Sequence, residues 1–388
     1  MNILFVANFP IEDNKGGVQR VTATLAEAFR ALEIHVFYLS LSSGQTQTIQ
    51  GVTQFFLPDG SDLQREVNQH YYATLLRENA IDVIINQAGI YGHVMSFVSR
   101  NLPKGIRLFT VHHNCIRCLQ ENYKNIVKGG VFGKIAHRLD YAWFWKILLW
   151  KHKRKYGTYF RNAIAQSDAL VLLSESFIPE LKTYLSSWPE NKVAAIYNPA
   201  PFKVHPEALY GKENRLLYVG RVEYTQKQCN LLLPLWKAIH QRFPDWHFDI
   251  VGGGSKLKEL MALATEDTLE HLHFHGFTDP KPFLEKAKVL VMTSSFEGYG
   301  MVLVEAQAYG VVPIAFHSFS SVSSIIEDDK NGVLVHPFDL ESYIEKLAAL
   351  LENETKRFPM AQYGQQTVTR FMPDIIAQEW LHLIHSKT

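Results

Sequence analysis

The chain has 388 residues, 47% hydrophobic and 20% charged, an ordinary globular composition long enough for two domains. Lys+Arg number 39 and Asp+Glu 38, so the net charge is +1; this lacks the basic footprint of a nucleic-acid binder, and no nucleic-acid partner is expected. Three cysteines make no disulfide framework, the N-terminus lacks a basic signal-peptide region, and no apolar run nears the roughly 20 residues of a membrane span. A reduced, cytoplasmic protein is the expectation.

Strand and helix patterns alternate along the first half. Ile3–Ala7 is a short apolar run, and Val18, Val21, Leu25, Phe29 and Leu32 follow at helical spacing. Strand patterns recur at His35–Leu39, Val52–Leu57, Asp82–Asn86, Ile106–Val111, Ala169–Leu173 and Val193–Tyr197. Helical patterns fall at Asp62–Glu78, at Gly92–Arg100 and from Glu175. The stretch Asn198–Pro206 carries three prolines and no periodicity, which reads as an interdomain linker. The alternation then restarts, with strands at Arg215–Val219, His247–Val251, His271–His275, Val289–Met292, Val312–Ala315 and Val333–Val335. Helices are predicted at Gln228–Arg242, Ser255–Thr265, Gly300–Tyr309, Leu340–Glu352 and Ile375–His385. Such alternation implies right-handed crossovers and parallel sheets covered on both faces. The predicted architecture is α/β, two doubly wound Rossmann-like domains facing across a cleft. The boundaries are 1–198, a linker at 199–212, 213–370, and a C-terminal helix at 371–388 that is free to cross back to the first domain.

Charge is unevenly spread. From Lys124 to Arg161 there are ten Lys/Arg and one acid, Asp140, a local charge of +9 that leaves −8 on the rest. Phe132, Tyr141, Trp143, Phe144, Trp145, Trp150, Tyr156, Tyr159 and Phe160 are interleaved with those cations. One reading is an anionic membrane surface, where cations meet headgroups and aromatic rings sit at the apolar boundary. The other is a helix with its aromatics in the core and its lysines in water. The apolar residues cover more than one helical face, so periodicity leaves both open.

Four places carry chemistry. Glu297-Gly-Tyr-Gly-Met-Val-Leu-Val-Glu305 follows a strand and opens a helix. Gly298 and Gly300 let backbone N–H groups near Gly300 and Met301 approach an anion at the positive end of that helix. Glu297 is placed to accept hydrogen bonds from sugar hydroxyls, and Glu305 to reach a ribose diol. Gly220-Arg-Val-Glu-Tyr-Thr-Gln-Lys227 sets two cations, Arg221 and Lys227, after another strand; they suit a diphosphate that leaves without metal help. Gly16-Gly17 opens the first helix. No dinucleotide fingerprint occurs: Gly252-Gly-Gly254 is followed by Leu257 where a third glycine would stand. His112-His113-Asn114 ends a strand, and Cys115 and Cys118 form a C-x-x-C too small for a zinc site by itself. Asp-x-Asp pairs and phosphate-binding G-x-x-x-x-G-K-[ST] loops are both missing, so no metal and no bound cofactor are expected.

The constellation resembles the family 4 glycosyltransferases, retaining enzymes of the GT-B fold. Glu297 to Glu305 matches their E-x7-E motif. Gly16-Gly17, Gly220-Arg221 with Lys227, Val251–Gly254, His275-Gly276-Phe277, Ser295 and Asn331–Val335 match in order along both halves. The resemblance implies that Arg221 and Lys227 hold the donor diphosphate, Glu305 the ribose and Glu297 the donor sugar. It implies that Gly16, Gly17, Gly300, Met301 and Val302 contact phosphate or sugar, and that Gly276, Phe277 and Thr278 frame the base. His112, or alternatively His113, matches the family's histidine at the reacting centre. Gln228 and Gln307 depart from the usual Gly and Met. The expected activity is hexosyl transfer with retention, from a nucleoside-diphosphate-sugar to a glycan or lipid-linked glycan, in surface polysaccharide or lipopolysaccharide synthesis on the inner membrane face. The alternatives are a nucleotide-sugar epimerase of the same fold and a non-catalytic glycan-binding protein.

Overall fold

A computed structural model describes residues 1–12, 16–100, 102–117, 142–201 and 203–387. They form two units: residues 1–117, 142–201 and 371–387 make one, and residues 203–370 the other.

The first unit is built on strands β1 (Asn2–Ala7), β2 (His35–Ser43), β3 (Gln47–Ile49), β4 (Val52–Leu57), β5 (Val83–Asn86), β6 (Arg107–His112), β7 (Ala169–Leu172) and β8 (Val193–Ala195). Their order in the sheet is β3-β4-β2-β1-β5-β6-β7-β8. All neighbours are parallel except β3, which pairs antiparallel with β4. That edge hairpin was not predicted: Gln47-Thr-Ile is too short to show alternation. Central strands such as β5 and β7 are buried at every position, as covering by helices on both faces requires. The helix Gly17–Ala31 buries Val21, Leu25, Ala26 and Phe29 at the spacing the sequence shows. The helix Pro373–His385 packs beside it and buries Ile376, Ala377, Trp380 and Ile384. Trp380 meets Phe109 of β6 edge-on at 6.1 Å, and Arg107 donates to the Ile384 carbonyl at 2.7 Å. The last helix of the chain is therefore part of the first unit.

The basic segment is described from residue 142 onward, as the helix Ala142–Gln166; Lys124 to Tyr141 lie outside the described residues. Its two sides divide the aromatics. Trp145 and Phe160 are buried, whereas Trp143, Ile147 and Trp150 lie exposed, alternating with Lys146, Lys151, Arg154 and Lys155. The core reading therefore holds for Trp145 and Phe160 and fails for Trp143 and Trp150.

The second unit contains β9 (Arg215–Val219), β10 (His247–Val251), β11 (Leu272–Gly276), β12 (Val289–Met292), β13 (Val312–Phe316) and β14 (Val333–Val335), in the order β11-β10-β9-β12-β13-β14, all parallel. Strand order reverses between β9 and β12. In an open α/β sheet a ligand binds outside the carboxyl ends of the strands at that reversal. Tyr343, from the helix Leu340–Glu352, is fully buried and donates to the Ile314 carbonyl of β13 at 2.7 Å. A further helix, Glu354–Thr367, was not predicted, because Pro359 and Gly364 interrupt its pattern. Asn353 caps its N-terminus by accepting from the Lys356 amide at 2.9 Å. Gly364 lets it lie close on Gln307: a Cβ there would stand 3.3 Å from Gln307 Cγ.

Candidate functional site

The strand reversal sets the loop after β9 beside the loop after β12. The first carries Arg221 and Lys227; the second carries Glu297. Lys227 Nζ donates to Glu297 Oε1 at 2.5 Å, with the two side chains 15% and 10% exposed. Ser294 Oγ also donates to Glu297 Oε1, at 2.6 Å. Gln226 joins the remaining group: its Oε1 accepts from the Arg221 guanidinium at 2.7 Å, and its Nε2 donates to Glu297 Oε2 at 3.3 Å. Arg221 and Lys227 on one loop and Glu297, seventy residues beyond Lys227, thus form one hydrogen-bonded chain with Gln226 as its link.

The loop is held in shape by groups that sequence reasoning missed. The Glu223 carboxylate accepts from the backbone amides of Thr225, Gln226 and Lys227 at 2.9, 2.9 and 2.6 Å. Tyr218, at the end of β9, donates to the Arg221 carbonyl at 2.9 Å. Ser295 ties the two loops together: its amide donates to the Gln226 carbonyl at 2.7 Å and its hydroxyl to the Thr225 carbonyl at 2.9 Å. The signal available for Gln226 and Glu223 was only their place between two cations.

Gly252-Gly-Gly254 proves to be a packing device. Val222 donates its amide to the Gly253 carbonyl at 2.9 Å, and Gly220 to that of Val251 at 3.0 Å. A Cβ on Gly252 would stand 1.7 Å from the Gly220 carbonyl oxygen, and one on Gly254 2.3 Å from that of Val222. The two loops touch backbone to backbone, and only glycine permits it. Gln228 departs from glycine at a position that favours it. Its φ is +47°, left-handed, and its buried Oε1 has no hydrogen-bond partner. Gln307, the other departure, is buried and donates to the carbonyls of Asn331 and Ile325 at 3.2 and 3.3 Å.

Gly300 precedes the helix Met301–Ala308 with φ +91°, and the first-turn amides of a helix have no intrahelical acceptor. Glu305 lies on that helix and is 2% exposed. Gly276 ends β11 with φ +66°, and Phe277 after it is 84% exposed.

In the first unit, Gly16 caps the helix Gly17–Ala31 with φ +95°, and a Cβ on Gly17 would meet nothing within 4 Å. His112, the last residue of β6, is buried against Phe160 with ring centroids 5.1 Å apart, and its Nε2 has no partner. Burial holds its pKa down at about 3, with the adjacent His113 adding to the effect. His113 is held at about 4 by burial, and its Nε2 lies 2.5 Å from Gln87 Oε1. Both rings are neutral near pH 7. Cys115 is buried. Cys118 lies outside the described residues.

Two family models match. "Glycosyltransferase Family 4" covers residues 15–202 and "Glycosyl transferases group 1" covers 201–367. The chain is 32% identical to the amylovoran biosynthesis glycosyltransferase AmsD of Erwinia amylovora, over 45% of this chain and 49% of that protein. It is 29% identical to the lipopolysaccharide 1,6-galactosyltransferase of Escherichia coli, over 42% of this chain and 48% of that one. The chain thus spans about half the length of these curated relatives. The crystal structure of TarM superposes with a TM-score of 0.74 at 14% identity, covering 98% of each chain, which shows the shared fold. The chain belongs to the family 4-like glycosyltransferases of the GT-B fold.

Proposed function

We propose that this glycosyltransferase moves a hexosyl group from a nucleoside-diphosphate-sugar to an acceptor hydroxyl, with retention, in the synthesis of a cell-surface polysaccharide or lipopolysaccharide. The observation that carries the reading is the hydrogen-bonded chain Arg221–Gln226–Glu297–Lys227 at the strand reversal. Arg221 and Lys227 supply two positive charges where a diphosphate would gain negative charge as the glycosidic bond breaks. The helix starting at Met301 adds its N-terminal amides. This charge needs no metal and no cofactor in the proposed chemistry. Glu297 would hold a sugar hydroxyl, Glu305 the ribose, and Gly276, Phe277 and Thr278 the base. Retention follows if the acceptor oxygen attacks the face the diphosphate leaves, with a donor phosphate oxygen taking its proton. No protein nucleophile is required. His112, neutral and with a free ring nitrogen, is the first unit's candidate contact to the sugar, and Gly16 and Gly17 its candidate contact to phosphate. The hexosyl reading draws on the galactosyltransferase named above.

A panel of UDP-, GDP- and ADP-sugars, scored by thermal protection and then by acceptor-dependent nucleotide release, tests the proposal. The expected result is one protecting donor whose turnover needs an added acceptor. Turnover without acceptor would favour an epimerase, and binding without turnover a glycan-binding protein; either result overturns the transferase reading.

The acceptor is proposed to be lipid-linked and met at the inner membrane face. No helix among the described residues is long and apolar enough to cross a membrane, whereas Trp143, Ile147 and Trp150 stand exposed among cations. Co-sedimentation with anionic liposomes should fall when Lys151, Lys153, Arg154 and Lys155 are neutralised; unchanged binding refutes the membrane reading.

A further inference from the structure

The two groups assigned to different parts of the donor hold each other. Lys227, assigned to the diphosphate, gives its Nζ to Glu297 Oε1 at 2.5 Å, and Glu297 is the group assigned to the sugar. Both side chains are largely shielded from water, so this is a strong charge-assisted bond rather than a surface pairing. Arg221, by contrast, is tied to a neutral amide, Gln226 Oε1, at 2.7 Å. That bond leaves the charge of Arg221 uncancelled, whereas the charge of Lys227 is met by a carboxylate.

Each partner is also anchored without the other. Ser294, buried in the loop after β12, donates to the same Oε1 at 2.6 Å. Gln226 Nε2 donates to Glu297 Oε2 at 3.3 Å and to the Phe296 carbonyl at 3.2 Å. On the other loop, the Lys227 amide donates to Glu223 Oε1 at 2.6 Å, and its carbonyl accepts from Thr293 Oγ1 at 2.8 Å. The backbone is thus fixed on both sides, and the lysine's flexible four-carbon stem is the part able to swing. With Lys227 in place, Oε1 already serves two donors; its departure releases a lone pair that a sugar hydroxyl can use.

We infer that Lys227 exchanges partners in each turnover, an inference that rests on the donor chemistry proposed above. The diphosphate draws the ammonium off Glu297, and the sugar hydroxyls of the same donor take the lysine's place on the carboxylate. A complete nucleoside-diphosphate-sugar satisfies both groups at once. A diphosphate without its sugar satisfies Lys227 alone and leaves a shielded carboxylate short of a donor, which is unfavourable. Once the sugar has passed to the acceptor, Glu297 recaptures Lys227 and loosens the hold on the departing diphosphate. Glu297 thereby distinguishes substrate from spent product, and it does so through Lys227.

The test is calorimetric titration of the full chain with inorganic pyrophosphate and with UDP, GDP and ADP. Glu297→Gln keeps the shape of the side chain and removes its charge. It should bind pyrophosphate, and whichever nucleoside diphosphate the wild type recognises, about 10–100-fold more tightly, the range a shielded charge-assisted bond is worth. Inhibition of turnover by that nucleoside diphosphate should deepen in step, while affinity for the matching nucleotide-sugar gains less. Simple repulsion between Glu297 and an anion would also weaken binding, so the lysine-free background decides between the two. There, adding Glu297→Gln to Lys227→Met should change pyrophosphate affinity by less than about threefold, because no ammonium remains to be released. Far-UV circular dichroism checks that the variants fold, and the rise in unfolding midpoint with pyrophosphate should be larger in Glu297→Gln than in wild type. Diphosphate affinity unchanged or weaker in Glu297→Gln, or an equal gain in the Lys227→Met background, overturns the exchange; a loss of pyrophosphate affinity in Lys227→Met itself would leave the donor site standing. No diphosphate binding by wild type or by Glu297→Gln overturns the donor chemistry and the exchange with it.

Discussion

Replacing Lys227 by Met removes the ammonium 2.5 Å from Glu297 Oε1 but keeps most of the apolar stem. Leaving one member of a shielded ion pair behind costs about 3–5 kcal/mol when nothing else compensates it. Here Glu297 keeps Ser294 Oγ at 2.6 Å and Gln226 Nε2 at 3.3 Å, and both side chains have a small opening to water. A net loss of about 2–3 kcal/mol is therefore expected. For a unit of this size that is a fall in midpoint of roughly 4–12 °C. Glu297→Gln alone strands the ammonium, and the double variant strands neither charge. The double should thus be more stable than the sum of the single losses predicts, by a coupling of about 1.5–3 kcal/mol. The assay is thermal or urea unfolding of the four proteins, read beside donor turnover. Removal of one positive group from the developing diphosphate charge should cut turnover by about 10²–10³ in Lys227→Met. A coupling below about 0.5 kcal/mol together with wild-type turnover would refute both the pair and its role.

Three further outcomes are expected. Gln228→Gly should raise the thermal midpoint by relieving a left-handed backbone and an unpartnered buried carbonyl, a net gain of about 1 kcal/mol after the added unfolded-state entropy; a lower midpoint contradicts it. Gly252→Ala sets a methyl 1.7 Å from the Gly220 carbonyl oxygen, and should cost about 3 kcal/mol or more and abolish thermal protection by any donor; intact protection would show that the two loops separate freely. The first unit should lose stability in acid. His112 and His113 are depressed to about 3 and about 4, against 6.5 for an ordinary ring, so above pH 6.5 they cost nothing. Below it the unfolded chain protonates first, and stability falls by up to about 1.4 kcal/mol per pH unit for each ring until the folded pKa is reached. His112→Gln should make the slope between pH 6.5 and 4 shallower by about one proton; an unchanged slope refutes its buried neutral state.

Much of the site was legible as chemistry before it was legible as a place. Arg221, Lys227, Glu297 and Gly300 announce themselves by residue type, because few residues carry charge or left-handed backbone to a strand end. Gln226 and Glu223 did not. A polar side chain within a loop has no periodicity, and its value lies in partners that only the folded loop supplies. The doubled histidines show the same limit. His112 ends β6 and His113 follows it, yet burial against Phe160 distinguishes His112, while His113 is engaged by Gln87.

Local sequence determined where strands and helices lie, since apolar spacing is a property of neighbouring residues; the helix Leu340–Glu352 and the strands β9, β10, β12 and β14 fall where the spacing puts them. It did not determine that β9 would lie against β12, which brings Lys227 to Glu297, or that Trp145 would turn inward and Trp150 outward on one helix. Pairing between distant strands depends on how whole helices cover the sheet, and a side chain's exposure depends on what arrives opposite it. Neither is written in the residues beside it, so tertiary packing alone decides both.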